Sequence, residues 1–399
     1  MSLVLNTNVN SMVAQNSLTT SGNQLTSALQ QLSTGLRVNT AADDAAGYAI
    51  AQGMTSQVNG LNQAAQNAND GVSLTQTASG AMNEITNDLQ TMRDLAVESL
   101  NATNSSNDRA DLNSQYSQLA ADINNVASNT QFNGVNLLDG TFQGADFQIG
   151  ANAGQIISVA SIASTSTSAV GNYYTTAPTT GAYADTTADS GNTASFDITV
   201  GTTSFTTGSV TLTGNQTTDL KNITSAINQT LGSSQGIVAT VDAAGTGISL
   251  STATGTAQNV TVALDAASTS TSSVNGLGLD ATYALGSAGG TAQNLSNTSV
   301  NSVDSSNLVL ISIDNALQQL ATSQAQLGAY QNRFQAAITG LNTTATNLSD
   351  AKSTIVDTDY ASATSNLSKA QILQQAGTAM VAQANTIPQN ILTLIQKLP

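Results

Sequence analysis

The sequence predicts a mainly α-helical protein with a β-rich outer insertion in the middle of the chain. Apolar residues recur at alternating intervals of three and four near both ends, which is the spacing of a coiled-coil seam. Between them, residues 163–305 consist of strand-like runs separated by Ser, Thr and Gly. A long helix cannot bury its own apolar stripe. We therefore expect the N- and C-terminal helices to pair into a long rod, built as a coiled coil or helical bundle.

The first helix is predicted from about Asn6 to Thr34, and Gly35 can end it because glycine readily adopts the left-handed conformation. No charged residue interrupts this stretch. Such a helix is typical of burial by many neighbours, since a solvated helix usually carries paired charges. Its stripe comprises Leu18, Gly22, Leu25, Leu29, Leu32 and Leu36.

Asn39 or Thr40 can cap the second helix, with Asp43 and Asp44 in its first turn. Paired carboxylates can bind a metal or act in catalysis, but no histidine or third carboxylate lies nearby. Acidic residues in the first turn of a helix are stabilised by the helix dipole. We therefore interpret this pair as helix-terminal charges.

Two more helices are predicted at about 45–100 and 108–128, and the short turn between them favours antiparallel packing. Short alternating runs then indicate small hairpins up to about residue 162. The following module is mostly β with one helix at about 219–231. Its charged residues are eight Asp and one Lys, so it is acidic throughout.

The C-terminal part is helical again, with helices predicted at about 310–355 and 364–398. Ile387, Ile391, Leu394 and Ile395 lie on the stripe of the last helix. The seam of the longer helix comprises Leu310, Ile313, Leu317, Leu320, Gln324, Leu327, Gln331, Phe334, Ile338, Leu341, Ala345, Leu348, Lys352 and Ile355.

Composition excludes several classes of function. The chain has 24 acidic and 8 basic residues, a net charge of −16, so nucleic acid and anionic membranes are unlikely partners. It has no histidine and no cysteine, which removes His-dependent catalysis and Cys/His metal sites. We expect no cofactor, no metal and no enzymatic activity. The N-terminus does not have the pattern of a cleaved signal peptide, and no membrane span is expected.

Three segments carry a resemblance to a known family. LSTGLRVNTAADDAAGYAIAQGM (32–54), TQFNG (130–134) and DYASATSNLSKAQILQQAGTAMVAQANTIPQNILTLI (359–395) closely resemble bacterial flagellin. The resemblance covers residues 1–162 and 300–399. It implies a secreted structural subunit that self-assembles into the flagellar filament used for motility.

The resemblance also implies a domain organisation. Residues 1–44 and 356–399 would form an inner domain, 45–162 and 306–355 a rod domain, and 163–305 the variable outer domain. Export would proceed through the flagellar type III apparatus, with a chaperone and a filament cap as further partners, and the protein would be extracellular. We expect subunit contacts at Leu25, Leu29, Leu32, Leu36, Ile387, Ile391, Leu394 and Ile395.

Innate immune receptors of animals recognise the second helix of many flagellins. Arg93 and Leu95 match the recognised pattern. Thr91 and Gln115 depart from it, because an arginine and a glutamate are typical at these positions. Both departures remove a charge that such an interface can use, so receptor recognition is expected to be weakened.

Two alternatives to the filament subunit stay open. The chain could be a filament-junction protein, which has similar terminal helices. The outer domain could also bind glycans as an adhesin, through Tyr173, Tyr174, Tyr183 or Tyr283.

Overall fold

The protein is described by a computed structural model covering residues 8–176, 191–231, 236–241, 247–252, 258–265, 281–285 and 291–396, with side chains described up to residue 386 in the last range. The helices confirm the mainly α-helical fold with a β-rich middle region. They are α1 (Val9–Thr34), α2 (Ala45–Ser99), α3 (Ser106–Asn129), α4 (Gln216–Leu231), α5 (Val303–Val356) and α6 (Tyr360–Gln396).

The strands are short and fall between α3 and α5. Four small strands follow α3, and the remaining strands belong to the middle region. In chain order they are β1 (Gln131–Phe132), β2 (Val135–Asn136), β3 (Ala145–Gln148), β4 (Ile156–Val159), β5 (Tyr173–Thr175), β6 (Thr193–Ala194), β7 (Phe196–Val200), β8 (Thr203–Thr206), β9 (Val210–Thr211), β10 (Ile237–Val241), β11 (Ile248–Thr252), β12 (Gln258–Leu264), β13 (Ala281–Leu285) and β14 (Thr291–Gln293).

Two helices begin earlier than the sequence predicts, and in both cases a small polar residue caps them. The α5 helix starts at Val303 because Ser302 and Ser305 each accept a hydrogen bond from the other's backbone N–H, at 3.1 Å. The α6 helix starts at Tyr360, and Asp359 accepts from the backbone N–H of Ala361 at 2.9 Å. Neither start carries the apolar spacing that marks the rest of the helix.

The chain divides into two compact units. The described part of unit one covers residues 8–68, 148–156 and 336–396. Unit two covers 69–147 and the described residues of 157–335. The five-segment division of the chain expected from the sequence stays a prediction.

Unit one contains the paired chain ends. The α1 and α6 helices run antiparallel, because Asn8 bonds to Ala384 near one end and Leu18 packs beside Gly377 further along. The start of α2 and the end of α5 also belong to this unit.

Unit two is organised around the rest of α2 and α5. They too are antiparallel, since Gln324 donates to Asn83 and Arg93 donates to Asp314. From Leu61 onward, one line of buried α2 positions keeps strict steps of three and four, as in a coiled coil, and Leu74 and Leu95 are buried beside it. The positions on this line are Leu61, Ala64, Ala68, Gly71, Thr75, Ala78, Met82, Ile85, Leu89, Met92, Ala96 and Ser99, of which the first three lie in unit one.

On α5 the observed seam matches the predicted one from Leu320 onward. At the start of the helix, Val309 and Ala316 are fully buried in place of the expected Leu310 and Leu317. The shift follows from Ser306 and Ser312, which are also fully buried and which a search for apolar spacing does not count.

The middle region has two four-stranded sheets, in the orders β10-β11-β5-β14 and β13-β12-β7-β8. One apolar core joins residues of β7, α4, β10, β11 and β12. The buried Asp219 at the start of α4 accepts from the backbone N–H groups of Thr213 and Gly214, at 2.7 and 3.1 Å, which satisfies its carboxylate.

Hydroxyl groups on the long helices bond within their own helix. Thr19 donates to the carbonyl oxygen of Gln15, Thr55 to that of Ala51 and Thr344 to that of Gly340, at 2.8–3.0 Å. Each partner lies four residues earlier, the usual geometry for Ser and Thr inside helices.

Candidate assembly surface

Small residues form the contact between α1 and α6. On α1 the buried positions are Ser11, Ser21 and Ala28, and on α6 they include Ala363 and Ala370. These positions keep the three-and-four spacing of a coiled coil on both helices. Small side chains let the two backbones approach closely, but they bury little apolar area.

Several large apolar side chains of both helices are exposed instead. Met12 and Val13 on α1 are 55% and 59% exposed, and Ile372 and Met380 on α6 are 65% and 64% exposed. Leu29 is 50% exposed. We call these five residues the outward apolar face. Large apolar side chains left exposed on a helix pair are typical of a surface that contacts another molecule.

A shallow apolar groove runs along this surface between the two helices. It has a volume of about 590 Å³ and is lined by Val13, Ala14 and Ser17 on α1 and by Leu373, Gly377 and Met380 on α6. No charged residue lines it. It could accept an apolar side chain or a helix from another molecule.

Polar bonds fix the free end of the helix pair. The side-chain amide of Asn8 donates to the carbonyl oxygen of Ala384 at 2.8 Å. The hydroxyl of Ser11 donates to the side-chain oxygen of Asn385 at 2.7 Å. Asn8 also accepts from the backbone N–H of Ser11 at 3.1 Å, so one residue both caps α1 and attaches it to α6.

At the opposite end of the pair, residues 35–38 and 355–358 form a compact cross-connection that we call the clasp. The backbone N–H groups of Arg37 and Val38 donate to the carbonyl oxygen of Val356 at 2.7 and 3.3 Å. The N–H of Thr358 donates to the carbonyl oxygen of Gly35 at 2.9 Å, which is possible because Gly35 adopts φ 71°. The Arg37 guanidinium also donates to the carbonyl oxygen of Ile355.

The two aspartates beside the clasp are turn and cap residues. Asp43 accepts from the backbone N–H of Thr40 at 2.8 Å, and the bonds from Thr40 lower the pKa of Asp43. Asp44 accepts from the backbone N–H of Gly47 at 2.8 Å and so caps α2. They lie just before the helix, where the sequence predicts its first turn.

The residues predicted to contact other subunits differ in burial and in location. Leu25, Leu32 and Leu36 are half-buried, the first two along the contact with α6 and the third in the clasp. Leu29 is exposed on the outward apolar face. Ile387, Ile391, Leu394 and Ile395 lie on α6, but their side chains are outside the described residues. Met12, Val13, Ile372 and Met380 are exposed large apolar residues that were not among the contact residues expected from the sequence.

The predicted receptor residues have different environments in unit two. Arg93 is partly exposed and forms an ion pair with Asp314 at 2.8 Å, which raises the pKa of the guanidinium. Leu95 is buried at 9% exposure. Thr91 and Gln115 are exposed.

Comparison with known proteins then identifies the family. The N-terminal helical region of bacterial flagellin matches residues 5–143, and the C-terminal helical region of bacterial flagellin matches residues 310–395. The chain belongs to the bacterial flagellins. It is 33% identical to the B-type flagellin of Pseudomonas aeruginosa, covering 99% of this chain and 100% of that protein. It is 36% identical to flagellin B of Vibrio cholerae, with the same coverage.

Among solved structures, FliC from Burkholderia pseudomallei is similar at 25% identity, covering 66% of this chain and 99% of that one, with a TM-score of 0.39. As a flagellin, the protein is a structural subunit of the extracellular flagellar filament and assembles with copies of itself. None of the described helices is long and apolar enough to span a bilayer. The described residues contain no group of three side chains that could hold a metal ion.

Proposed function

We propose that this flagellin polymerises through the outward apolar face of α1 and α6, together with the stripe that Ile387, Ile391, Leu394 and Ile395 continue. The observation that supports this is the inverted arrangement of side chains. The buried positions of α1 and α6 are small residues, whereas five large apolar residues stay at least half exposed and available to neighbouring subunits.

Burial of the outward apolar face would supply a large part of the polymerisation free energy. Fully burying one Leu, Ile, Val or Met side chain stabilises by about 1.5–3 kcal/mol. The five residues of the face are at least half exposed in the single chain. Much of their burial, and of the stabilisation that burial gives, can therefore take place on assembly. The buried positions of the α1/α6 contact inside the chain are small residues, so neighbours that cover the exposed side chains would add much of the apolar burial that stabilises the pair.

Charge contributes little to this surface. The α1 helix contains no charged residue, and α6 contains only Lys369. Contacts between exposed charges weaken as salt increases, whereas apolar contacts do not. We therefore expect the critical concentration for polymerisation to depend weakly on ionic strength.

We further propose that the flagellar type III apparatus exports the chain unfolded, with a chaperone and a filament cap as partners. The small size of the side chains buried between α1 and α6 supports this, because separating the two helices before export would expose little apolar area at these positions. Direct subunit contact by Leu25 and Leu32 is less favoured than contact by Leu29, since both already pack toward α6. No observation favours the junction-protein alternative.

A charge placed on the outward apolar face tests the proposal. Leu29→Asp and Leu394→Asp should abolish polymerisation, because each would bury a carboxylate without a partner. Leu29→Met and Leu394→Met are the matched controls, since they retain an apolar side chain of similar volume. Electron microscopy and sedimentation of the purified full-length chain would score filament formation.

Normal filaments from Leu29→Asp would remove that position from the subunit contacts. Normal filaments from both Asp variants would contradict the proposed face as a whole. Circular dichroism of the monomers should show the helix content of the unsubstituted chain, which separates an assembly defect from a folding defect.

A further inference from the structure

Unit two contains a second, chemically different groove. It lies between residues 163–174 and the first half of α5 and has a volume of about 680 Å³. This falls within the roughly 300–1,000 Å³ of ligand sites. We call it the amide groove; its polar lining includes Asn172, Tyr174, Gln318, Gln319, Thr322 and Ser323.

The lining contains no carboxylate, ammonium or guanidinium group. Its side chains are amides, hydroxyls and small apolar groups, with Tyr174 as the single aromatic ring. A phosphorylated or carboxylated ligand would find no cation there, and a cationic ligand would find no anion. The chemistry of the groove therefore selects an uncharged ligand rich in hydroxyl groups.

Several of these polar groups are available to a ligand. Gln318 and Gln319 are exposed, and among the described residues their side-chain amides have no hydrogen-bond partner. Tyr174 is half-buried and belongs to the lining, whereas Tyr173 is a core residue with 4% exposure. Successive residues of a strand point to opposite faces, so β5 directs one tyrosine to the core and the next to the groove.

The walls of the groove are held together by bonds between segments. The Asn315 side chain donates to the carbonyl oxygen of Asn172 at 2.7 Å. The Ser312 hydroxyl donates to the carbonyl oxygen of Gly171 at 2.7 Å, and both groups are buried. A ligand entering the groove would therefore not have to order its walls, which lowers the cost of binding.

We propose that the amide groove binds a neutral oligosaccharide. Amide side chains can donate to and accept from adjacent sugar hydroxyls, and the apolar C–H face of a sugar ring can lie on Tyr174. This assignment differs from glycan binding by the outer domain, because α5 supplies one wall of the groove. Tyr183 and the side chain of Tyr283 lie outside the described residues, and Tyr173 is buried.

The test uses full-length monomer and saturation-transfer NMR followed by titration. The probes are a glucose trisaccharide, a galactose-containing disaccharide and an N-acetylglucosamine disaccharide, with a sialylated trisaccharide as the charged comparison. We expect a Kd on the order of 1 mM for at least one neutral probe, and weaker binding of the sialylated one. Tyr174→Ala should weaken binding roughly twofold to tenfold.

Gln318→Ala with Gln319→Ala should also weaken binding. Asn332→Ala is the matched control, because it removes an exposed amide from the same helix outside the groove and should leave binding unchanged. Tyr174→Phe should retain binding, because it keeps the ring. Unchanged thermal unfolding of each variant would show that the fold is intact.

Three outcomes would overturn the proposal. The first is no binding of any neutral probe at about 10 mM. The second is binding that survives both Tyr174→Ala and the double glutamine variant. The third is protection of residues 318–323 in filaments but not in monomers by hydroxyl-radical footprinting, which would assign the groove to contact with a second copy of the chain.

Discussion

Gly71 packs in the middle of α2, directly under the ring of Phe334. A Cβ atom at this position would lie 2.5 Å from Cζ of Phe334 and 2.8 Å from both Cε atoms, well inside van der Waals contact. Phe334 is fully buried, and its ring meets Phe147 edge-on with centroids 5.3 Å apart. We predict that Gly71→Ala destabilises unit two, although alanine is the better helix former.

The magnitude follows from two opposing effects. Glycine to alanine inside a helix normally stabilises by about 1 kcal/mol. Overpacking a well-filled core costs about 1–3 kcal/mol, and the upper end applies because Phe334 is confined by Phe147. The net expectation is a loss of about 2 kcal/mol, which would lower the Tm by roughly 4–8 °C.

Gly80→Ala is the matched control in the same helix and the same unit. Nothing lies within 4 Å of its added Cβ, so this variant should be more stable by about 0.5–1 kcal/mol. Circular dichroism of the monomers during thermal and urea unfolding would measure both changes. The reasoning is refuted if Gly71→Ala is as stable as Gly80→Ala. Combining Gly71→Ala with Phe334→Leu should cost less than the sum of the single changes, because the smaller side chain relieves the contact.

Three further predictions concern polar groups. Arg37→Ala should loosen the clasp and lower the unfolding temperature of unit one by about a few degrees, without affecting unit two. Hydrogen exchange would detect this as faster exchange of backbone amides in unit one. Amide protection that stays equal in both units would contradict the prediction. Arg93→Ala should change monomer stability by less than about 1 kcal/mol, because both partners of its ion pair are about half exposed, and urea unfolding would reveal any larger effect. Burial raises the pKa of Asp304 above its ordinary 3.8, so its ionised form is disfavoured in the folded state. Asp304→Asn should therefore raise the free energy of unfolding at pH 7. This gain in stability should shrink as the pH falls through the raised pKa of Asp304, and it should vanish below pH 3.8. A gain in stability that does not depend on pH would refute the prediction.

The helices were predictable because their seams are regular over long distances. From Leu320 to Ile355 the predicted seam of α5 is the observed one. In α1 the sequence favours Gly22 and Leu29, whereas the structure buries Ser21 and Ala28 one position earlier. Interfaces built from small residues escape a search for large apolar ones, since Ser and Ala carry little hydrophobic signal.

The sheets and the amide groove could be predicted only in part. Strand-like runs were visible, but β5 pairs with β11 and β14, which are distant in sequence. The alternation of apolar and polar residues within a strand does not specify which other strand it pairs with. The groove also depends on this tertiary pairing, because Tyr174 and Gln318 meet only when residues 163–174 pack on α5.

The hydroxyl groups that bond back within the long helices affect how these helices meet other molecules. A threonine such as Thr55 or Thr344 is polar in the sequence, yet its proton is already committed to a carbonyl oxygen of its own helix. A neighbour that covers such a side chain leaves no hydrogen-bond donor unpaired, and it contacts the threonine methyl group. A small axial slip between two such faces would break few directional bonds. Surfaces of this kind suit a polymer that must bend under load without coming apart.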